Sequence, residues 1–234
     1  MTATVTATVT ATVTATVTAT VTATVTATVR IAILQQNSDF IAIDKPAGVP
    51  TIADRFGSDC VHAQLQAQTG ERLWIVHRLD REVTGVVLFA RTAAAHRALS
   101  MAFEGRQVAK TYEAWCEGPT PAWQTAHWEN TLLRGKKRAY VHPVGKLAIT
   151  EATFEGPAAD GLSQRLLLRP LTGRSHQLRV HMAGAGLPIV GDGLYGAKRP
   201  FRPAEIALRA LELRIAAGVL SATELRIEAP PLAI

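Results

Sequence analysis

The sequence predicts a globular domain over residues 30–234 that mixes strands with helices. Three observations carry that. Short apolar stretches recur, alternating with period two or separated by turn residues, as paired strands require. Between them lie segments of good helix formers with a capping residue before and a glycine after. In addition, 47% of the residues are hydrophobic, with four Trp and six Phe, a composition that supports a packed core.

From Thr2 to Val29 the tetrapeptide Thr-Ala-Thr-Val repeats without a break. Period two gives one hydroxyl face and one small apolar face. Fully extended, the run would span roughly 90 Å, and no Gly, Pro or Asn is present to fold it back. Identical units leave register unspecified. Residues 1–29 are therefore read as a low-complexity tail without fixed structure.

Arg30 to Leu34 and Phe40 to Ile43 read as a hairpin around Gln35-Gln36-Asn37-Ser38-Asp39. Asp44 to Thr51 carries two prolines and a glycine and reads as an ordered loop. Val61 to Gln68 is a helix, with Ser58 or Asp59 as cap and Gly70 at its end. Gly85 to Ala90 is a continuous apolar run, read as a buried strand. Thr92 to Glu104 is a second helix, capped by Thr92, with Ala95, Leu99, Ala102 and Phe103 inward and Gly105 beyond. Val108 to Cys116 alternates as a strand that places Lys110, Tyr112 and Ala114 on one face. Trp123 to His142 holds the basic run Arg134-Gly135-Lys136-Lys137-Arg138, a hairpin tip. Ile149 to Phe154 and Gln164 to Pro170 pair as strands. Ser175 caps a third helix that ends near Gly184. Pro188 to Gly196 is a glycine-rich loop. Ala204 to Arg214 reads as a helix or a strand, and Ala222 to Glu228 as a final strand.

Net charge is +6 and the isoelectric point is near 9.7. All of that charge lies from Arg30 onward. Such a balance fits a polyanion partner, most simply nucleic acid. Cys60 and Cys116 match no metal spacing and no disulfide framework. There is no apolar run of membrane-spanning length and no signal-peptide start, so a soluble, cytoplasmic protein is expected.

Two stretches concentrate chemistry. In Ile75 to Ala90, Asp80 lies among His77, Arg78 and Arg81, just before the buried run. An acid near a core beside cations stays ionised. That suits a structural ion pair, which spacing alone favours, and it also suits a carboxylate nucleophile, which needs no proton and needs to be aimed. In Leu171 to Gly184, Arg174 stands at the positive end of a helix, where free N–H groups form a natural anion site. Arg179, one turn in, can reach a carboxylate. His176 and His181 are five residues apart with no third ligand in place, so no metal is assigned. The glycine-rich loop lacks the Lys-Ser/Thr of a P-loop, so no nucleotide cofactor is assigned either. Lys45 is either a solvated charge or a phosphate contact. The basic tip with Tyr140 is either a solvated turn or an RNA contact.

Taken together these stretches resemble the RluA-type pseudouridine synthases from about Ile41 to the end. The blocks are Asp44-Lys45-Pro46-Ala47-Gly48; His77-Arg78-Leu79-Asp80 with Thr84-Gly85; Lys110-Thr111-Tyr112 with Ala114; Gly173-Arg174-Ser175-His176-Gln177-Leu178-Arg179-Val180-His181; and Gly191-Asp192 with Leu194-Tyr195-Gly196. Their shared order makes the match specific. The resemblance implies an α+β fold with a long, mostly antiparallel mixed sheet, flanking helices and a cleft across its middle. It implies isomerisation of uridine to pseudouridine in ribosomal or transfer RNA by a monomer, without cofactor or metal. It makes Asp80 the nucleophile, Tyr112 the residue that stacks on the base and is implicated in proton removal, Arg179 the partner of Asp80, and Arg78 the holder of the flipped-out state. Lys45, His77, Lys110, Arg174, His176, Gln177, Arg134, Lys136, Lys137 and Arg138 are the expected RNA contacts. Val83 stands where the family usually has a polar residue. The alternative is a catalytically idle RNA-binding protein on the same fold.

Overall fold

The computed structural model describes residues 30–53, 57, 59–159 and 161–233. The Thr-Ala-Thr-Val repeat, expected as a tail, lies outside the described residues. Among those described, eleven strands form one sheet. In chain order they are β1 (Ala32–Gln36), β2 (Phe40–Lys45), β3 (Trp74–Ile75), β4 (Thr84–Ala90), β5 (Val108–Glu117), β6 (Thr125–Arg134), β7 (Ala139–Val141), β8 (Lys146–Pro157), β9 (Ser163–Pro170), β10 (Leu208–Ile215) and β11 (Leu225–Glu228). Three helices accompany them: α1 (Val61–Thr69), α2 (Ala93–Glu104) and α3 (Gln177–Gly184). The strand order is β1-β2-β4-β10-β5-β9-β8-β6-β7, with β3 also on β4 and β11 also on β10. The β4–β10 pair is parallel, and the other described pairs are antiparallel. This is the α+β, mostly antiparallel mixed sheet that the sequence resemblance implies. None of the described helices is long and apolar enough to cross a membrane.

The strand β4 shows why the chain folds this way. All seven of its residues are buried, because both faces of the sheet are covered there. Val87 and Phe89 join the cluster that holds Val61 and Leu65 of α1 and Leu178 and Met182 of α3. Val86, Leu88 and Ala90 join the cluster that holds Ala95, Leu99 and Ala102 of α2. A strand buried on both faces reads as an unbroken apolar run, not an alternation. Its second residue, Gly85, sits at φ +106°, where a Cβ would stand 2.1 Å from the carbonyl oxygen of Ala210. Gly85→Ala should therefore lower stability by more than about 3 kcal/mol. A denaturant midpoint close to that of the wild type would show that the β4–β10 contact is looser than described.

Caps differ from expectation in two places. Helix α1 is capped by Cys60, whose Sγ accepts from the Ala63 N–H at 3.5 Å. Asp59 instead accepts from the Gln64 side chain at 2.6 Å, and Ser58 lies outside the described residues. Helix α3 is capped by His176 in the left-handed region, with no side-chain cap bond, so Ser175 does not cap it. Thr92 does cap α2, accepting from Ala95 N–H at 3.1 Å. The ambiguous Ala204–Arg214 segment resolves as strand β10.

Candidate active site

The loop between β3 and β4 brings Asp80 to the middle of the sheet. Several bonds hold it there. The Thr51 hydroxyl donates to the Leu79 carbonyl at 3.0 Å and accepts from the Leu79 N–H at 3.1 Å. The Val83 N–H donates to the Asp80 carbonyl at 3.2 Å, and the Gly48 N–H to the Arg81 carbonyl at 2.9 Å. Val83 itself is buried in the core, so the apolar residue at this position is accommodated by packing.

Asp80 faces a cavity of about 930 Å³. Tyr112 of β5, Arg179 of α3 and Arg78 line the same cavity, with His77, Lys110, Arg134, Arg174, His176 and Gln177. The three residues expected to be catalytic are thus brought together. The Arg179 Nη1 lies 3.5 Å from Asp80 Oδ2, the pairing that the sequence implied. Asp80 does not have the guanidinium to itself, however. Arg179 forms a two-pronged bond with Asp192, Nε to Oδ2 at 2.7 Å and Nη2 to Oδ1 at 2.8 Å, and reaches Glu82 at 3.3 Å. Burial weighs against the Arg179 charge, but the hydrogen bonds and charge of Asp192 outweigh it and keep the group firmly protonated. Asp192 orients the arginine, and the arginine presents its remaining nitrogen to Asp80.

His176 also approaches Asp80, with Nε2 3.9 Å from the same Oδ2. Burial lowers its imidazole pKa, while Asp80 and Arg179 pull in opposite directions. Its Nδ1 lies 2.9 Å from the Tyr195 hydroxyl. That hydroxyl accepts from the Ala139 N–H at 2.8 Å and lies 3.1 Å from the Ala139 carbonyl. The Tyr112 phenol is pushed up by burial and by the Asp80 charge, so it stays protonated.

The expected RNA contacts divide. Arg78 is exposed at the cavity mouth and has no hydrogen-bond or ion-pair partner among the described residues. Arg134 and Lys137 of the β6–β7 tip line cavities beside Asp80, whereas Lys136 and Arg138 are exposed on that tip and line neither. Arg174 lines the cavity and donates from Nε to the Leu147 carbonyl at 2.8 Å. Lys110 is half-buried and reaches the Thr172 carbonyl at 3.3 Å.

Three expectations need correction. Gln177 is buried, and its amide holds the 172–174 turn: it accepts from Thr172 Oγ1 at 2.7 Å and the Arg174 N–H at 3.0 Å, and donates to the Ile149 carbonyl at 2.8 Å. No capacity remains for RNA. His77 accepts from the Leu88 N–H at 3.0 Å and stacks on Phe103. Burial, helped by the Lys110 charge, pushes its imidazole down to about 3, so it offers no cation to a phosphate. Lys45 is neither solvated nor a phosphate contact. It is fully buried, and its ammonium donates to the carbonyls of Pro46 at 2.7 Å, Val49 at 2.8 Å and Arg81 at 3.3 Å. It ties the 46–49 loop to the Asp80 loop.

The Lys45 ammonium is pushed down from 10.5 to about 8, chiefly by burial. Between those values an unfolded chain holds a proton that the folded chain has released, so stability rises with pH across the window. Below it the buried charge exacts its full cost; above it the cost is gone. The stability of the wild type relative to Lys45→Met should therefore increase between about pH 8 and pH 10.5. Urea unfolding at the two ends checks this, and a flat or falling difference contradicts it.

Sequence reasoning gave no role to Asp192, Tyr195, Glu82 or Arg106. Asp192 lies between two glycines, and Tyr195 precedes one, a pattern that marks backbone built for close approach. Arg106 lines the large cavity from a left-handed backbone, φ 58°, and nothing in the sequence signals that. His181, considered with His176 for zinc, is buried with Nε2 3.1 Å from Asn130 Oδ1, and burial pushes its imidazole down to about 4. Among the described residues, no group of three or more His, Cys, Asp or Glu could hold a metal ion.

Comparison with known proteins gives the family. Residues 39–184 match the model of the RNA pseudouridylate synthase family. An uncharacterized RNA pseudouridine synthase of Zymomonas mobilis is 39% identical over 193 residues, which cover 79% of this chain and 87% of that protein. The dual-specificity RNA pseudouridine synthase RluA of Escherichia coli is 36% identical over 176 residues, covering 71% and 78%. The chain belongs to the RNA pseudouridylate synthase family. Among solved structures, human RNA pseudouridylate synthase domain containing 1 superposes with a TM-score of 0.72 at 26% identity, covering 87% of this chain and 84% of that one. Human RNA pseudouridylate synthase domain containing 4 shares the fold, with a TM-score of 0.70.

Proposed function

We propose that this pseudouridine synthase isomerises a uridine in structured ribosomal or transfer RNA, with Asp80 as nucleophile. The observation that carries it is the convergence of Asp80, Arg179 and Tyr112 on one cavity whose mouth is cationic. The enzyme acts as a cytoplasmic monomer and docks through its own basic surface.

The target base is stacked and must be extruded, at a cost of a few kcal/mol. Arg78, exposed at the mouth and unpartnered among the described residues, takes the vacated place and holds the flipped state. Tyr112 presents its ring to the uracil. Asp80, charged and aimed beside Arg179, attacks either the sugar C1′ or the base C6. Attack at C1′ breaks the N1–C1′ bond, and once the base has turned in the cavity C5 bonds to C1′ as the Asp80–C1′ bond breaks; attack at C6 instead ties the base to Asp80 while N1–C1′ breaks and C5–C1′ forms, after which the Asp80–C6 bond breaks. In either case a base in reach takes the C5 proton and passes it to solvent, which restores the uracil ring. Residues 1–29 are dispensable for this chemistry.

Incubation with RNA from a strain lacking the gene should create new pseudouridines, mapped by carbodiimide modification. RNA binding without any new site would favour the idle binding protein. Tyr112→Ala removes the stacking face and should lower kcat/KM roughly tenfold or more. Tyr112→Phe, which keeps the ring, should retain RNA affinity. Equal affinity losses in both variants would contradict stacking.

A further inference from the structure

Loss of the C5 proton needs an acceptor within reach of the base. Most groups that line the large cavity cannot serve. Tyr112 keeps its own proton, and the arginines hold theirs at any working pH. The Lys110 ammonium donates to the Thr172 carbonyl. His77 spends its Nε2 lone pair on the Leu88 N–H. Glu104 is exposed at the end of α2. Asp80 is engaged with the substrate and faces the Arg179 guanidinium at 3.5 Å; a carboxylate is in general a weaker base than an imidazole. That leaves His176, whose side chain is 10% exposed and whose Nε2 lies 3.9 Å from Asp80 Oδ2.

The hydrogen bonds around His176 fix which nitrogen is free. The Tyr195 hydroxyl accepts from the Ala139 N–H at 2.8 Å and donates to the Ala139 carbonyl at 3.1 Å. Its one hydrogen is thereby used, so at the 2.9 Å contact with His176 Nδ1 the hydroxyl accepts and Nδ1 donates. A neutral imidazole with its hydrogen on Nδ1 carries its lone pair on Nε2. At 3.9 Å, Nε2 makes no hydrogen bond to Asp80, so that lone pair stays open to an atom held against the carboxylate. Burial, with Arg179 and Arg134, lowers the imidazole below its ordinary 6.5, against the opposing charges of Asp80 and Glu82. The ring is therefore neutral near pH 7. His176 also stands in the left-handed region, φ 54°, a strained placement of the kind that concentrates at functional sites.

We propose that His176 is the base that removes the C5 proton, with Tyr195 holding the tautomer that makes it able to do so. The proposal rests on the function assigned above. The Nε2 lone pair takes the proton from C5 once C5 is bonded to C1′. The C5–H electron pair becomes the C5–C6 double bond, the C6–N1 π pair falls back on N1, and N1 takes a proton from solvent. Asp80, by then released, lies beside the imidazolium and stabilises it. The imidazolium returns its proton to solvent, which restores the starting state. The step needs no oxidant and no further reactant.

The test compares single-turnover rates on RNA carrying either uridine or 5-deuterouridine at the mapped site. His176→Asn keeps an amide that can donate to Tyr195 and tolerates φ > 0, but it has no basic lone pair. RNA binding and thermal unfolding should match the wild type, while the rate falls roughly a hundredfold or more. The deuterium isotope effect should exceed that of the wild type, because proton removal becomes the slow step. His176→Gly, also suited to φ 54°, opens the space of the ring, and imidazole added to the buffer should restore its rate in proportion to the neutral form. A raised isotope effect or a rescued rate supports the assignment, since a merely structural histidine would give neither. A wild-type rate in His176→Asn, or a loss in both variants with an unchanged isotope effect and no response to imidazole, overturns the role of His176 alone. A wild-type enzyme that binds the RNA and forms no pseudouridine overturns the assigned function, and this role with it.

Discussion

Asp80→Asn should lower the rate of pseudouridine formation by at least about a thousandfold, with fold and RNA affinity unchanged. Asparagine keeps the shape of the side chain and removes its charge and nucleophilicity. In many sites such a change leaves a buried cation unpaired. Here it does not, because Arg179 keeps its two bonds to Asp192 and its contact with Glu82. The loss should therefore fall on the chemical step. Single-turnover rates, RNA filter binding and thermal unfolding separate the three quantities. A variant that still turns over at a wild-type rate would remove Asp80 from the mechanism.

Asp192→Ala should be among the most destabilising single changes near the site, by about 3–5 kcal/mol. Asp192 is 1% exposed, and its partner Arg179 is 4% exposed along the side chain. Truncating one half of a buried pair leaves the other half's charge under-compensated. Asp80 and Glu82 remain near the guanidinium at 3.5 and 3.3 Å, but neither matches the lost two-pronged geometry. Activity should fall as well, since Arg179 is no longer held toward Asp80. Asp192→Asn keeps one acceptor oxygen and should lie between. Chemical denaturation orders the three proteins. A stable Asp192→Ala with normal activity would show that Asp80 needs no oriented arginine.

The legible parts of the fold are those set by local pattern. The unbroken apolar run of β4, the Thr92 cap of α2 and the Asn37 hairpin all follow from neighbouring residues. The Asn37 side chain accepts from the Asp39 and Phe40 N–H groups at 2.8 and 3.0 Å. Strand β10 was ambiguous because its charges are neutralised from afar. Arg209, a buried position within the strand, pairs with Asp44 at 2.6 Å, so a polar residue sits where an alternation expects none. The site was legible as blocks of residues, but not as a circuit. Asp192 and Arg179 are separated by thirteen positions, and only the fold shows that they are partners. Lys45 misled because a lysine in a proline-rich loop is normally solvated; a cage of three carbonyls is a property of backbone, not of sequence. Ser175 misled as the α3 cap for a similar reason, since the left-handed cap that His176 forms has no residue-type signature.

The most direct measurement is tritium release from RNA labelled at C5 of uridine, since that hydrogen must leave once C5 takes the place of N1 on the sugar. The wild-type enzyme should release tritium in step with pseudouridine formed, and Asp80→Asn should bind the same RNA and release none. Release by Asp80→Asn at the wild-type rate, or none by the wild type on RNA that it binds, would contradict the account.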